Sequence, residues 1–130
     1  MTQSELLIAV VDDDESVCCA VDRLLHSLGM NTQTFASGSE FLAYIDAMPS
    51  FHPDCVVLDL HMPGLNGLDV QERLAREGNT VPLIFITAHD EVDARDRALK
   101  RGAVAFLRKP FSDEVLMKAL DEAAHRKSGQ

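Results

Sequence analysis

Two hydrophobic periodicities alternate along this chain, and the alternation repeats five times. Short apolar runs typical of buried strands are each followed by a stretch in which apolar residues recur every three or four positions, as on one side of a helix. Val17, Val21, Leu24 and Leu28 show this helical spacing after the first run. The pattern predicts strands at 6–11, 32–35, 55–58, 83–86 and 103–107, with the polar second strand nearer an edge, and a helix after each of the five.

Turn and capping residues predict where the helices begin and end. Gly29 stops the first helix, and Ser37 with Glu40 has the S-x-x-E spacing of a capping box that opens the second. Ser112 is placed to cap the last helix, and the acid that follows it, Asp113, suits the positive end of the helix dipole.

This order of elements predicts an α/β fold. Strands that alternate with helices form a parallel sheet covered on both faces, joined by right-handed crossovers. Such sheets bind ligands beyond the carboxyl ends of their strands, where the strand order reverses. The residues that follow each strand are therefore the first place to look for chemistry.

Composition narrows the classes of function. With 130 residues, 46% hydrophobic and 25% charged, the sequence is typical of one globular domain, with a core at 6–126 and a frayed tail at 127–130. Its net charge of −9 argues against binding to nucleic acid or to an anionic membrane surface. We expect no export signal or membrane span, and the odd set Cys18, Cys19 and Cys55 favours reduced thiols in the cytoplasm.

Polar residues follow four of the five predicted strands, and in a parallel sheet all of them would lie at one edge. They are Asp12, Asp13 and Asp14 after the first strand, Asp59 after the third, Thr87 after the fourth and Lys109 after the fifth. Crowded carboxylates repel unless a cation joins them, and oxygen ligands suit Mg²⁺. A carboxylate can also attack phosphorus, and a lysine can neutralise phosphoryl oxygens. The set predicts Mg²⁺-dependent phosphoryl transfer onto an aspartate.

Each of these residues also has an ordinary structural explanation. Asp14 fits the N-cap of the first helix, Asp59 is a common loop residue, and an isolated Thr87 or Lys109 would most often be a solvated surface residue. The functional interpretation depends on these residues meeting at one edge of the sheet although they follow four separate strands.

The motifs around these positions resemble the receiver domain of bacterial two-component response regulators, FixJ/NarL-like receivers in particular. They are Asp12-Asp13, Asp59 in LDLHMPGLNG, Thr87 in FITAH and Lys109 in GAVAFLRKPF, and the resemblance extends over residues 6–124. It implies a flavodoxin-like, CheY-like doubly wound (βα)5 fold with strand order 2-1-3-4-5.

The resemblance also implies a role for each site residue. Asp59 would accept a phosphoryl group from a sensor histidine kinase, and Thr87, Lys109 and the Ala88 amide would contact it. The predicted Mg²⁺ ligands, which Mn²⁺ could also use, are Asp12 through water, Asp13, Asp59 and the His61 backbone carbonyl. Phe106 matches the switch aromatic that turns inward as Thr87 moves, and the Lys109-Pro110 bond is expected to be cis.

By the same resemblance, the protein would be a phosphorelay switch rather than a classical enzyme, although it would catalyse its own phosphorylation and dephosphorylation, and the reduced thiols place it in the cytoplasm as an expectation. Its fourth helix, fifth strand and fifth helix would act on a downstream effector protein or a C-terminal output domain. We expect a monomer that can dimerise on phosphorylation. The chain stops where such regulators usually continue into a DNA-binding domain, which leaves a stand-alone receiver and a truncated regulator both open.

Three positions depart from the usual pattern of the family. Cys18 stands where an arginine is frequent, and His61 and His89 occupy the positions two residues after Asp59 and Thr87 that tune the lifetime of the phosphate. A transition-metal site of His52, His61 and His89 is a weak alternative, because the spacing is not that of a metal motif.

Two other functions compete with the phosphorylated switch. A receiver fold can act as an interaction module without phosphorylation, although the complete set of site residues argues against it. A small phosphatase would commonly need a second acid two residues after its nucleophile, where this chain has His61.

Overall fold

The computed structural model describes residues 6–128, and strands alternate with helices throughout that range. The elements are β1 (Leu7–Val11), α1 (Glu15–Ser27), β2 (Asn31–Phe35), α2 (Gly38–Ala47), β3 (Cys55–Asp59), α3 (Gly67–Arg76), β4 (Leu83–Thr87), α4 (Val92–Lys100), β5 (Ala105–Arg108) and α5 (Asp113–Ser128). The predicted order of elements is confirmed.

The five strands form one parallel sheet in the order β2-β1-β3-β4-β5, as predicted. The strand order reverses at the neighbouring strands β1 and β3, because β2 lies on one side of β1 and the later strands lie on the other. The polar strand β2 lies at one edge, while β3 and β4 are buried along their whole length. Their continuous apolar runs reflect burial on both faces of the sheet.

Each face of the sheet has its own hydrophobic core. Leu58 and Phe85 point to the face covered by α2, α3 and α4, whereas Val57 and Ile86 point to the face covered by α1 and α5. Successive strand residues point to opposite faces, so strands buried on both sides hold their terminal polar residues in fixed positions at the sheet edge.

The predicted strand ends differ from the observed ones by at most one residue, except at the start of β5. β5 begins at Ala105 rather than at 103, because the Ala103 amide donates to the Ala98 carbonyl and completes the end of α4 (3.0 Å). Helix α5 continues to Ser128, positions 129–130 lie outside the described residues, and the frayed tail at 127–130 stays a prediction.

The reciprocal capping box predicted at the start of α2 forms at the start of α3 instead. Ser37 accepts a hydrogen bond from the Glu40 amide, but the Glu40 carboxylate accepts from the Ala36 amide instead of returning to Ser37. A complete reciprocal box forms between Asn66 and Asp69 at the start of α3. It fixes the helix that begins directly behind the end of β3.

Gly67, the first residue of α3, lies against the end of β3. A Cβ atom at this position would come within 2.8 Å of the Asp59 carbonyl oxygen and 2.9 Å of the Phe85 ring. The Gly67 amide donates to the Leu60 carbonyl at 2.8 Å. Only glycine permits this approach, which holds the loop after Asp59 close to the sheet.

Candidate functional site

The carboxyl edge of the sheet brings together polar residues from four strands. Asp12 directly follows β1 and is 1% exposed, Asp59 ends β3 at 4%, and Thr87 ends β4 at 1%. Lys109 follows β5 and donates its backbone amide to the Thr87 carbonyl at 2.7 Å. The predicted cis Lys109-Pro110 bond is present.

Lys109 places its ammonium group between two buried carboxylates. Its Nζ lies 2.9 Å from Asp12 Oδ2 and 3.4 Å from Asp59 Oδ1. Apart from this ion pair, Asp12 Oδ2 has no hydrogen-bond partner among residues 6–128. A buried carboxylate oxygen with one cationic neighbour retains a lone pair for a second cation.

Asp13 completes an acidic cluster with Asp12 and Asp59. One carboxylate oxygen from each residue lies within 4.8 Å of the others, with Asp13 exposed and the other two buried. All three donors are hard oxygen atoms, and the open side at Asp13 leaves room for water ligands, so the set fits Mg²⁺ or Mn²⁺. The role of the His61 carbonyl as a further ligand stays a prediction.

Burial and neighbouring charges both shift the pKa values of Asp59 and Lys109 in this cluster. Burial, then the negative charge of Asp12, raises the pKa of Asp59 to about 6, although Lys109 acts in the other direction. Burial would lower the pKa of Lys109, but its contacts with Asp12 and Asp59 outweigh burial and raise it overall. Lys109 therefore stays charged, while the cluster carries an unrelieved excess of negative charge.

This excess predicts that Asp59→Asn stabilises the fold at neutral pH. The pKa of Asp59 rises from its ordinary 3.8 to about 6 on folding, so ionised Asp59 weakens the native state as pH rises through this range. The variant should gain on the order of 2 kcal/mol in unfolding free energy above about pH 7, and almost nothing near pH 4.

Urea unfolding at the two pH values measures the difference. Asp121→Asn, which makes the same substitution on the exposed side of α5, serves as the matched control and should show no such dependence. An equal gain for Asp59→Asn at both pH values would contradict the electrostatic explanation.

Thr87 and Phe106 lie next to each other beside the acidic cluster. The Thr87 hydroxyl oxygen accepts a hydrogen bond from the His89 amide (3.1 Å), so its own hydrogen remains available for donation. Phe106 is half-buried, stacks on Phe85 with ring centroids 6.0 Å apart, and lines a cavity of about 70 Å³ together with Thr87. The exposed Ala88 directly follows Thr87 at the sheet edge.

The two histidines after Asp59 and Thr87 stand side by side. The rings of His61 and His89 are perpendicular, with centroids 5.4 Å apart, and His61 Nε2 donates to the Glu91 carboxylate. Glu91 was not predicted to belong here, since its position before α4 suggests only a helix-start residue. His52 lines a different cavity, beside the residues that precede β3, β4 and β5, whereas His61 and His89 follow the carboxyl ends of β3 and β4. The alternative site of three histidines is therefore wrong.

The structural role expected for Asp14 is confirmed. Its carboxylate accepts hydrogen bonds from the Ser16 amide and hydroxyl at the start of α1, and these bonds lower its pKa. Cys18 lies buried beneath the site with its thiol donating to the Asp12 carbonyl at 3.4 Å. Burial, with the nearby Asp12 charge, raises the pKa of Cys18 to about 11, which suits an inert packing residue.

In the part of the chain that the structure describes, no helix is both long enough and apolar enough to cross a membrane.

A family model described as the response regulator receiver domain matches residues 8–121. The chain is 37% identical over 123 residues to response regulator protein TmoT of Ectopseudomonas mendocina, and 41% identical over 123 residues to nodulation protein W of Bradyrhizobium diazoefficiens. Each alignment includes 95% of this chain but only 54% and 53% of the relative, so the chain spans about half the length of both.

Solved structures agree with the sequence matches. A response regulator receiver protein from Burkholderia phymatum is 50% identical, with a TM-score of 0.82 over 92% of this chain and 95% of that one. A structure titled FixJ-N is 31% identical, with a TM-score of 0.84 over 96% of each chain. The similarity therefore extends over nearly the whole of the described fold.

Proposed function

Because this chain belongs to the receiver domain family of two-component response regulators, we propose that it takes a phosphoryl group onto Asp59 and so switches its output surface. The observation that carries the proposal is the Lys109 ammonium between Asp12 and Asp59, within an acidic cluster at the carboxyl edge of the sheet. Buried like charges are costly, and retaining them beside a fixed cation suits a site for charged ligands.

The positions of these side chains support the following reaction. An Asp59 carboxylate oxygen attacks the phosphorus of a phosphohistidine donor, the P–N bond breaks, and its electron pair returns to the imidazole, which takes a proton. The product is an acyl phosphate on Asp59. Lys109, held at 3.4 Å from Asp59 Oδ1, stabilises the charge on the transferring oxygens, as a preorganised cation does beside a reacting group.

A divalent cation would be held by Asp13, by Asp59 and, through water, by Asp12, with the His61 carbonyl as a further ligand. When bound, Mg²⁺ supplies the positive charge that offsets the three carboxylates and the incoming phosphoryl oxygens. The cluster geometry and the second lone pair of Asp12 Oδ2 support this assignment.

The donor we propose is a sensor histidine kinase. Asp59 is almost fully buried, so a donor must approach along the surface next to it. A groove of about 500 Å³ between α1 and the start of α5 borders the site. Its lining includes the apolar residues Val17, Leu24 and Phe111 beside Lys109, a surface that suits a protein donor.

The output we propose is a change at α4, β5 and α5. A phosphoryl oxygen would accept hydrogen bonds from the Thr87 hydroxyl and the Ala88 amide, and Phe106 would turn toward the small cavity that it shares with Thr87. The receiver would pass this change to a downstream effector or a C-terminal output domain in the cytoplasm, with dimerisation on phosphorylation, while His61 and His89 tune the phosphate lifetime.

Mass spectrometry of the intact protein tests the proposal. Incubation with Mg²⁺ and a small acyl phosphate should add one phosphoryl group, because the site itself supplies the nucleophile and the charge. Excess EDTA should abolish the addition, and Mn²⁺ should restore it. A receiver that acts only as an interaction module would show no added mass under any of these conditions.

A further inference from the structure

Helix α4 is joined to the rest of the protein by polar contacts of opposite character at its two ends. At its N-terminus, Glu91 accepts a hydrogen bond from His61, thirty positions earlier in the loop after β3. His61 and Glu91 are 50% and 33% exposed. Because water can replace such exposed contacts at little cost, this end of the helix is easily released.

Glu91 makes this contact in place of a normal helix cap. Asp14, Ser37 and Asn66 each accept a side-chain hydrogen bond from an amide of the helix that they begin. Glu91 is the N-cap residue of α4, yet its side chain makes no such bond. The side chain of this N-cap residue is therefore bound to His61 instead of to an amide of its own helix.

The other end of α4 is fixed by a buried contact. Gln71 of α3 is 4% exposed, and its Nε2 donates to the Ala98 carbonyl at 3.1 Å. The same carbonyl accepts the Ala103 amide that ends the helix. Breaking a buried hydrogen bond leaves unsatisfied polar groups, so this end resists displacement.

We propose that the N-terminal end of α4 moves when the hydrogen bond between His61 and Glu91 breaks, while the hydrogen bond between Gln71 and Ala98 holds the other end in place. We call the first contact the clasp and the second the pivot. This rests on the proposed function: a phosphoryl group on Asp59 competes with Glu91 for the His61 N–H. When His61 turns to the phosphoryl group, Glu91 is released and the N-terminal turn of α4 moves about the fixed end. Glu91 acts through His61 and is a positioning residue.

The competition follows from the place of His61 and the chemistry of its ring. His61 is two residues from Asp59, at the edge where the ends of β3 and β4 are paired, and its ring contacts that of His89. A phosphoryl group brings three strong acceptor oxygens and about two negative charges. A single Nε2–H can serve only one of these acceptors well at a time.

Linkage makes the clasp measurable from both sides. If the clasp stabilises the unphosphorylated arrangement, its loss must raise the affinity for a phosphoryl mimic. It must also speed hydrogen exchange in the first turn of α4, by the same factor. The mimic is beryllofluoride with Mg²⁺, titrated by calorimetry, and the loosening is read from hydrogen exchange of the α4 amides without mimic. An exposed pair predicts a change of about two- to fivefold in each.

Four variants separate the clasp from other roles of Glu91. Glu91→Ala should raise both the affinity for the mimic and the exchange rate of the α4 amides. Glu91→Gln, which keeps an acceptor for His61, should give values close to wild type. Glu91→Ser supplies a good helix cap but cannot reach His61, so its mimic affinity should match that of Glu91→Ala. Asp93→Ala removes an acid from the same turn and should leave both quantities unchanged.

Exchange at the Ala103 amide should stay as in wild type in all four variants, because the pivot is intact. The clasp is overturned if Glu91→Ala matches Asp93→Ala, or if Glu91→Ser binds the mimic as wild type does. Failure of the proposed function looks different: wild type would then take up neither phosphoryl group nor mimic, and the competition would fall with it.

Discussion

Asp59→Asn is expected to eliminate phosphoryl uptake completely. The amide has no carboxylate to attack phosphorus, and none of the other acids in the cluster can replace it: Asp12 is held by Lys109 and the Asp14 amide, and Asp13 is exposed on the outer side. Intact-mass measurement after incubation with a small acyl phosphate and Mg²⁺ should show only the unmodified variant.

Asp121→Asn is the matched control and should accept one phosphoryl group as wild type does. The urea unfolding of Asp59→Asn, which is expected to be the more stable protein at neutral pH, checks that the unreactive variant is folded. Equal added mass in wild type and Asp59→Asn would place the acceptor elsewhere and would contradict the proposed function.

Lys109→Met is expected to slow phosphorylation by about 100-fold or more, the cost of removing one preorganised charge from the transition state. Methionine keeps most of the length of the side chain but leaves Asp12 and Asp59 facing each other without the ammonium between them. Because Lys109 opposes the rise in the pKa of Asp59, the variant should also carry a higher pKa at Asp59.

Urea unfolding as a function of pH, without Mg²⁺, measures this second effect. Ionisation of Asp59 should lower the unfolding free energy as the pH rises through about 6 in wild type, and at higher pH in Lys109→Met. Lys118→Met, on the exposed side of α5, should match wild type in both rate and pH dependence. A variant at position 109 with normal rate would show that the ammonium is only a structural contact.

The local pattern of the sequence was enough to predict the elements and the residues at their ends. Continuous apolar runs such as 83–86 are typical of strands buried on both faces of a parallel sheet, and a parallel sheet collects its carboxyl ends at one edge. The convergence of Asp12, Asp59, Thr87 and Lys109 follows from these rules. Errors arose where a hydrogen-bonding group had two possible partners, as with the Ala103 amide and the Glu40 carboxylate.

The sequence by itself thus determined the order of elements, the two-sided burial of the sheet and the residues that meet at its edge, because these depend on periodicity within one segment at a time. Only the tertiary structure decided that His61 pairs with Glu91 and that Gln71 holds Ala98. Both contacts join residues about 30 positions apart, and no local pattern records how closely two loops or two helices approach once they pack on the same sheet.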